Sequence, residues 1–227
     1  MWVSGGSAGS CRVSVALEGG TGAEVSHEGL RAQKAFPGKD IHNKGRLPFE
    51  AAGSRRVLAP HDLILMTGSP EFEEVWFDQG GLMPDGAKTI QLCSAASRAA
   101  FKFPVSLSLL GDLKTSIDSI LRHLKTTAGK GYEADSIARN EALAIKHLAN
   151  VTASEARLKS QWDYQPMTPA RAIWEISSAI PEGTIVVDES ITASVEIAAG
   201  FEFSSPGDYF GGRGGGIGQG IPGALGV

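Results

Sequence analysis

Of the 227 residues, 29 are glycine, and 11 of these fall between Gly200 and Gly226. Average usage of about 7% would give roughly 16 in the whole chain. The excess is therefore local, in Tyr209-Phe210-Gly211-Gly212-Arg213-Gly214-Gly215-Gly216-Ile217-Gly218-Gln219-Gly220-Ile221-Pro222-Gly223-Ala224-Leu225-Gly226. Glycine at this density lets backbone approach a ligand closely and leaves amides and carbonyls open for hydrogen bonds. A flexible tail would account for the glycines. It would not account for Ile217, Ile221 and Leu225, which recur every four residues as on a packed helix.

The rest of the composition is that of a soluble globular chain. Lysine and arginine number 21 against 25 acids, a formal charge of −4, and 42% of residues are hydrophobic. That length suits one large domain or two modest ones. There is no basic excess to suggest a nucleic-acid partner. No apolar run nears the ~20 residues of a membrane span, and the first 30 residues lack the charge and apolar core of a secretory signal. Cys11 and Cys93 cannot form a disulfide scaffold or a four-cysteine zinc site. Free thiols in a reducing, cytoplasmic compartment are expected.

Organisation varies along the chain. Residues 1–34 are small and polar without clear periodicity, and disorder is expected there, with Val13-Ser14-Val15-Ala16-Leu17 as a weak strand candidate. Residues 35–125 carry a helix opening at Pro48-Phe49-Glu50 and three strand candidates. These are Asp62-Leu63-Ile64-Leu65-Met66-Thr67-Gly68, Lys88-Thr89-Ile90-Gln91-Leu92-Cys93 and Val105-Ser106-Leu107-Ser108-Leu109. Asp112 should cap a helix whose apolar face is Leu113, Ile117, Ile120, Leu121 and Leu124. Strands mixed with helices predict an α/β fold with a parallel sheet. Residues 126–165 read as a polar helical connector with little burial to hold it down.

A second, incomplete α/β unit occupies residues 166–227. Thr168 caps and Pro169 takes the first helical position, with Ile173, Ile176 and Ile180 as a buried stripe. One strand follows at residues 184–187, then Asp188-Glu189-Ser190 at its carboxyl end. Ile191, Val195 and Ala198 form the next helical face, closed by Gly200.

Chemistry-bearing motifs are few. The five histidines (27, 42, 61, 123 and 147) have no metal-ligand spacing, and neither a nucleophile elbow nor a P-loop is present. Gly218-Gln219-Gly220-Ile221-Pro222-Gly223 fits the dinucleotide fingerprint formally, but it contains a proline and follows no predicted strand. Asp188-Glu189-Ser190 sits where open α/β sheets place ligands. The same residues would also suit a plain helix start, with Ser190 as cap and acids favoured by the helix dipole.

From Thr168-Pro169 through Val187-Asp188-Glu189-Ser190 to the glycine segment, the sequence resembles the start of the pyrophosphate-binding domain of thiamine diphosphate-dependent enzymes. The benzoylformate decarboxylase and acetolactate synthase group is the nearest in pattern. Phe36-Pro37, Leu47-Pro48-Phe49, the run from Leu63 to Pro70 with Phe72, Leu82-Met83-Pro84-Asp85-Gly86 and Val105 to Asp112 resemble that group's central domain. Residues 35–227 are covered. The resemblance implies a 2-oxo acid decarboxylase or carboligase that uses thiamine diphosphate and magnesium and forms a homo-oligomer. It puts Glu189, Ser190 and Thr192 near the diphosphate, Gly215 and Gly216 against the aminopyrimidine, and Ile217 as the apolar wedge that keeps the cofactor bent. The chemistry in such enzymes belongs to the cofactor, whose thiazolium carbon attacks the carbonyl of a 2-oxo acid, while protein supplies geometry and charge.

Departures from the group's pattern shape the expectation. Thr168 stands where benzoylformate decarboxylases carry a histidine. The cofactor-activating glutamate and the Gly-Asp-Gly metal motif are expected outside these residues, so no catalytic or metal-binding residue is assigned. Two expectations follow: a fragment of such an enzyme, inactive alone, or an inactive truncated paralogue acting only by association with a full-length subunit. A nucleotide or coenzyme A module is a third idea, disfavoured because no glycine-rich loop follows the strand at Leu63.

Overall fold

The computed structural model describes residues 2–5, 17, 19–27, 38–48, 50–68, 78–100, 104–203, 207–211 and 216–227. Its larger sheet has six strands: β1 (Trp2–Gly5), β2 (Val25–His27), β3 (Asn43–Arg46), β4 (Leu63–Gly68), β5 (Lys88–Cys93) and β6 (Leu107–Leu110). Their order is β3-β2-β1-β4-β5-β6, and every pairing is parallel. This is the doubly wound order, with its switch point between β1 and β4. The expected α/β class is observed.

The strands at residues 63–68 and 88–93 form as predicted. The amino-terminal region differs from expectation, because β1 and β2 come from residues 1–34 and β1 lies mid-sheet between β2 and β4. Four residues of strand, ending in glycine, are too short for a period-2 signal to stand out. Burial is what holds the region: Val25 is 1% exposed and packs with Leu17, Leu92, Ile117 and Leu121. Residues 13–16 of the other strand candidate lie outside the described residues, and Leu17 is helical.

Helix α1 (Ala51–Leu58) begins after Glu50 and buries Leu58 against Leu47, Ile64, Met66 and Leu82. Helix α2 (Leu113–Thr127) covers the other side of the sheet. Asp112 Oδ1 accepts the Thr115 N–H at 2.8 Å, and all five predicted apolar residues pack into the cluster around Ile117.

The connector region contains a single 31-residue helix, α3 (Lys130–Ser160). Its amino-terminal half is tied to the helical residues 19–21, which precede β2, by polar bonds that an apolar-periodicity argument does not count. Ser136 Oγ donates to the Gly20 carbonyl at 3.0 Å, Arg139 Nε to Thr21 at 2.9 Å and Asn140 Nδ2 to Gly19 at 3.0 Å. Leu143 adds the one large buried apolar side chain of the helix. Gly22, at φ +64°, lies under it, where an added Cβ would come within 2.6 Å of Arg139 Cβ.

The second unit contains α4 (Pro169–Ala179), β7 (Val186–Asp188), α5 (Ser194–Gly200), β8 (Tyr209–Gly211) and α6 (Gly220–Ala224). Thr168 caps α4 through Oγ1 to the Arg171 N–H at 3.3 Å, as predicted. A second strand was not predicted, yet β8 pairs parallel with β7 from inside the glycine-rich segment. The α4 stripe is only partly buried. Ile173 joins Ile197, Phe203 and Tyr209, whereas Ile176 is exposed, because a two-stranded sheet covers little of the helix. Gly200 is where α5 crosses α4 closely: a Cβ there would lie 2.7 Å from Ile173 Cγ2. Residues 38 and 39 bridge to the second unit, with the Gly38 N–H on the Phe203 carbonyl at 3.3 Å and Lys39 Nζ on Glu202 at 2.6 Å. Among the described residues, no helix is long and apolar enough to cross a membrane.

Candidate functional site

Asp188, the last residue of β7, is 5% exposed and fully engaged. Its Oδ1 accepts the Ser190 N–H at 2.7 Å and the Ser190 hydroxyl at 2.6 Å, and its Oδ2 accepts the Tyr209 hydroxyl at 2.7 Å. The turn after the strand is thereby closed on itself and anchored to β8. Burial, then the Asp188 carboxylate, push the Tyr209 phenol well above its ordinary range, while Arg46 at the end of β3 acts in the opposite sense. Neither Tyr209, on the second sheet, nor Arg46, on the first, was predicted as part of this region. Tyr209 stood at the head of the glycine segment, but nothing in the sequence marked that stretch as a strand facing Asp188.

Ser190 does not cap the next helix. Helix α5 starts later, with Ala193 at its cap position and no side-chain cap bond. The two donors of Ser190 go to Asp188 instead, which removes the plain helix-start reading of the motif.

Glu189 does what the sequence could not show. Its carboxylate accepts the backbone N–H groups of Gln219 at 2.7 Å and Gly220 at 2.9 Å, joining the end of β7 to the glycine segment. Those bonds, from Gly220 first and then Gln219, hold the carboxyl below its usual pKa. The Gln219 side chain donates to the Gly216 carbonyl at 2.7 Å. Glu189, Gly216 and Ile217 are therefore brought to one region, with Ser190 and the exposed Thr192 on the adjoining turn. Gly215 lies outside the described residues.

The four-residue apolar repeat does not pack as expected. Ile217, Ile221 and Leu225 are 83%, 81% and 86% exposed, and α6 is a single short helix over residues 220–224. The face of α5 also differs: Ile191 and Val195 are exposed, and Ser194 and Ile197 are the buried positions. What results is open backbone at Gly218, at φ +94° with nothing within 4 Å of a Cβ, beside the exposed Ile217 side chain. An apolar side chain next to accessible backbone suits the organic part of a bent cofactor. Among the described residues, no three His, Cys, Asp or Glu side chains gather into a metal site.

The two parallel sheets with their helices match the α/β fold of solved thiamine diphosphate-dependent enzymes. Over 85% of its length the chain is a homologue of benzoylformate decarboxylase, being 30% identical over 192 residues to the Pseudomonas aeruginosa protein of that name. It spans 33% of that relative's length. Solved structures that share the fold include two decarboxylases. The benzoylformate decarboxylase of Polynucleobacter necessarius matches with a TM-score of 0.75 at 16% identity, over 100% of this chain and 39% of that one. The thiamine diphosphate-dependent 4-hydroxybenzoylformate decarboxylase of Rhodococcus jostii matches with a TM-score of 0.72 at 20% identity, over 98% and 39%. No family model matches the chain.

Proposed function

We propose that these residues form the central α/β unit and the first part of the cofactor unit of a cytoplasmic, thiamine diphosphate- and magnesium-dependent 2-oxo acid decarboxylase or carboligase. The likeness to benzoylformate decarboxylase over 192 residues carries this reading. The Glu189 bridge supports it, because a strand end and a glycine segment that serve one ligand must be held together. When bound, the cofactor supplies the carbon nucleophile that permits loss of carbon dioxide from a 2-oxo acid.

The residues of this chain orient and enclose. Glu189 fixes the glycine segment against the end of β7. Ser190 and Thr192 lie on the diphosphate side, with Ser190 preset by Asp188. By the resemblance Gly215 and Gly216 lie against the aminopyrimidine, with the Gly216 carbonyl also accepting the Gln219 side chain, and Ile217 presents an apolar surface that excludes water and favours a bent ligand. As in the acetolactate synthase-like group, the working form is a homo-oligomer.

The test is a chimera in which this chain replaces the matching third of the Pseudomonas aeruginosa enzyme. Carbon dioxide release from benzoylformate or pyruvate, dependent on thiamine diphosphate and magnesium, is expected. A folded chimera that binds cofactor but decarboxylates neither substrate would overturn the reading. The 227-residue chain alone is expected to give no tight cofactor binding by calorimetry. A second reading, action only by association with a longer subunit, is favoured by the exposed Ile191, Val195, Ile217, Ile221 and Leu225. Co-purification with a full-length subunit but an inactive chimera would select it.

A further inference from the structure

His42 is 5% exposed and sits between the sheet and α3, outside the site described above. Its Nδ1 lies 2.6 Å from Asp40 Oδ1, and its Nε2 lies 2.7 Å from Asn140 Oδ1. The identity of the Asn140 atoms is set by their other partners. Asn140 Nδ2 donates to the carbonyls of Gly19 at 3.0 Å and Ser136 at 2.9 Å, so the oxygen must face His42. Asp40 Oδ1 also accepts the His42 backbone N–H at 2.9 Å, as a carboxylate does. Both ring nitrogens thus face acceptors. A neutral imidazole has only one N–H to give, so only the imidazolium satisfies both contacts.

From this geometry we infer that His42 is a charged latch between the sheet and α3, and that losing its proton releases the Asn140 end of the contact. A neutral ring that keeps its Asp40 bond turns a lone pair toward the Asn140 oxygen. Flipping the Asn140 amide would relieve that clash but set its oxygen against the Gly19 and Ser136 carbonyls. No arrangement of the neutral ring keeps all four bonds. The result is a pH-sensitive joint in the helix that links the two units.

The surrounding charges fit this assignment. Asp40 favours the cation through its hydrogen bond, and the His42 pKa is raised; burial and Lys44 oppose the charge. For Asp40, burial works against the carboxylate, but the bonds from His42 outweigh it, with His147 of α3 adding attraction. Lys44 is itself paired with Glu24 at 2.9 Å, and Lys146 of α3 approaches the same carboxylate at 3.9 Å. Arg139, one residue before Asn140, is committed to the Thr21 carbonyl. A group whose pKa is raised on folding contributes fully below its unfolded value and loses that contribution as pH rises through its folded value. The latch is therefore closed at mildly acidic pH and opens on the alkaline side of 6.5, the ordinary histidine value.

Nitrogen-15 NMR of the ring in the full chain tests this directly. Both nitrogens should show imidazolium shifts at pH 6, and amide exchange at residues 136–140 should quicken through the same titration. Asn140→Ala should lower the His42 pKa by about one pH unit, the size expected for one hydrogen bond to a charged group. Asn140→Asp, which keeps an acceptor and adds charge, should raise it. A neutral tautomer at pH 6, exchange that ignores the His42 titration, or an unchanged pKa in both variants would each overturn the latch.

Discussion

Glu189 and Gly220 are separated by 31 positions in sequence, yet Glu189 Oε2 accepts the Gly220 N–H at 2.9 Å. The bond converts a glycine-rich stretch into a placed one. It also uses the carboxylate of the motif for an internal job, with the charge held by backbone donors rather than by a cation.

Glu189→Gln should loosen the segment. An amide can offer one acceptor but turns its NH2 toward the other N–H, so exchange at Gln219 and Gly220 should rise while the β4 and β5 amides stay protected. In the unsubstituted chain a depressed carboxyl pKa means the bridge is intact above 4.5 and is lost as pH falls through the lower folded value. Acid titration of those two amides by NMR reads this out.

Tyr209→Phe removes the bond from the Tyr209 hydroxyl to Oδ2 of the buried Asp188 carboxylate. A cost of about 1–3 kcal/mol is expected by urea unfolding. Because burial and Asp188 raise the phenol pKa, Tyr209 should also be missing from the ultraviolet tyrosine titration around 10.

Ile117→Ala and Ile221→Ala should separate core from surface. Ile117 of α2 is completely buried, and truncation should cost about 2–5 kcal/mol. Ile221 is 81% exposed, and its truncation should change stability by less than about 0.5 kcal/mol. Equal costs would mean that the exposed isoleucine is covered in solution.

Glu24 gathers His61 at 3.3 Å and Lys44 at 2.9 Å, and these partners, His61 first, pull its pKa down to about 2. The stability it contributes is present above 4.5 and disappears as pH falls toward 2. Glu24→Gln should flatten that part of the acid-unfolding curve.

Local signals carried much of this architecture. Leu63 to Gly68 was legible as a strand because a buried parallel strand reads as an apolar run, Lys88 to Cys93 because Ile90 and Leu92 alternate with Thr89 and Gln91, and Asp112 and Thr168 because a cap has a fixed place before its helix. The docking of α3 was not legible, since Ser136, Arg139 and Asn140 hold it through carbonyls that any sequence would supply. At the candidate site, the Asp188-Glu189-Ser190 motif and the glycine segment stood out. Their connection did not, because backbone amides leave no trace in residue type. Tyr209 was hidden for a related reason: its partner Asp188 is distant along the chain, and pairing across a sheet has no period to detect.

The place of β1 has a kinetic consequence. Trp2 pairs with Leu65 and Val25, and Gly5 pairs with Gly68, so the sheet's middle cannot zip up from neighbouring hairpins. Closing such loops costs entropy before any pairing repays it, and chains dominated by distant contacts fold slowly. The pairs β4–β5 and β5–β6 have much shorter connections and can form first. They would then wait, with one flank of β4 unpaired, for four residues that lie far upstream in the sequence. An unpaired strand flank is a template for association with another chain. Refolding yield should therefore fall with protein concentration more steeply than stability alone would suggest.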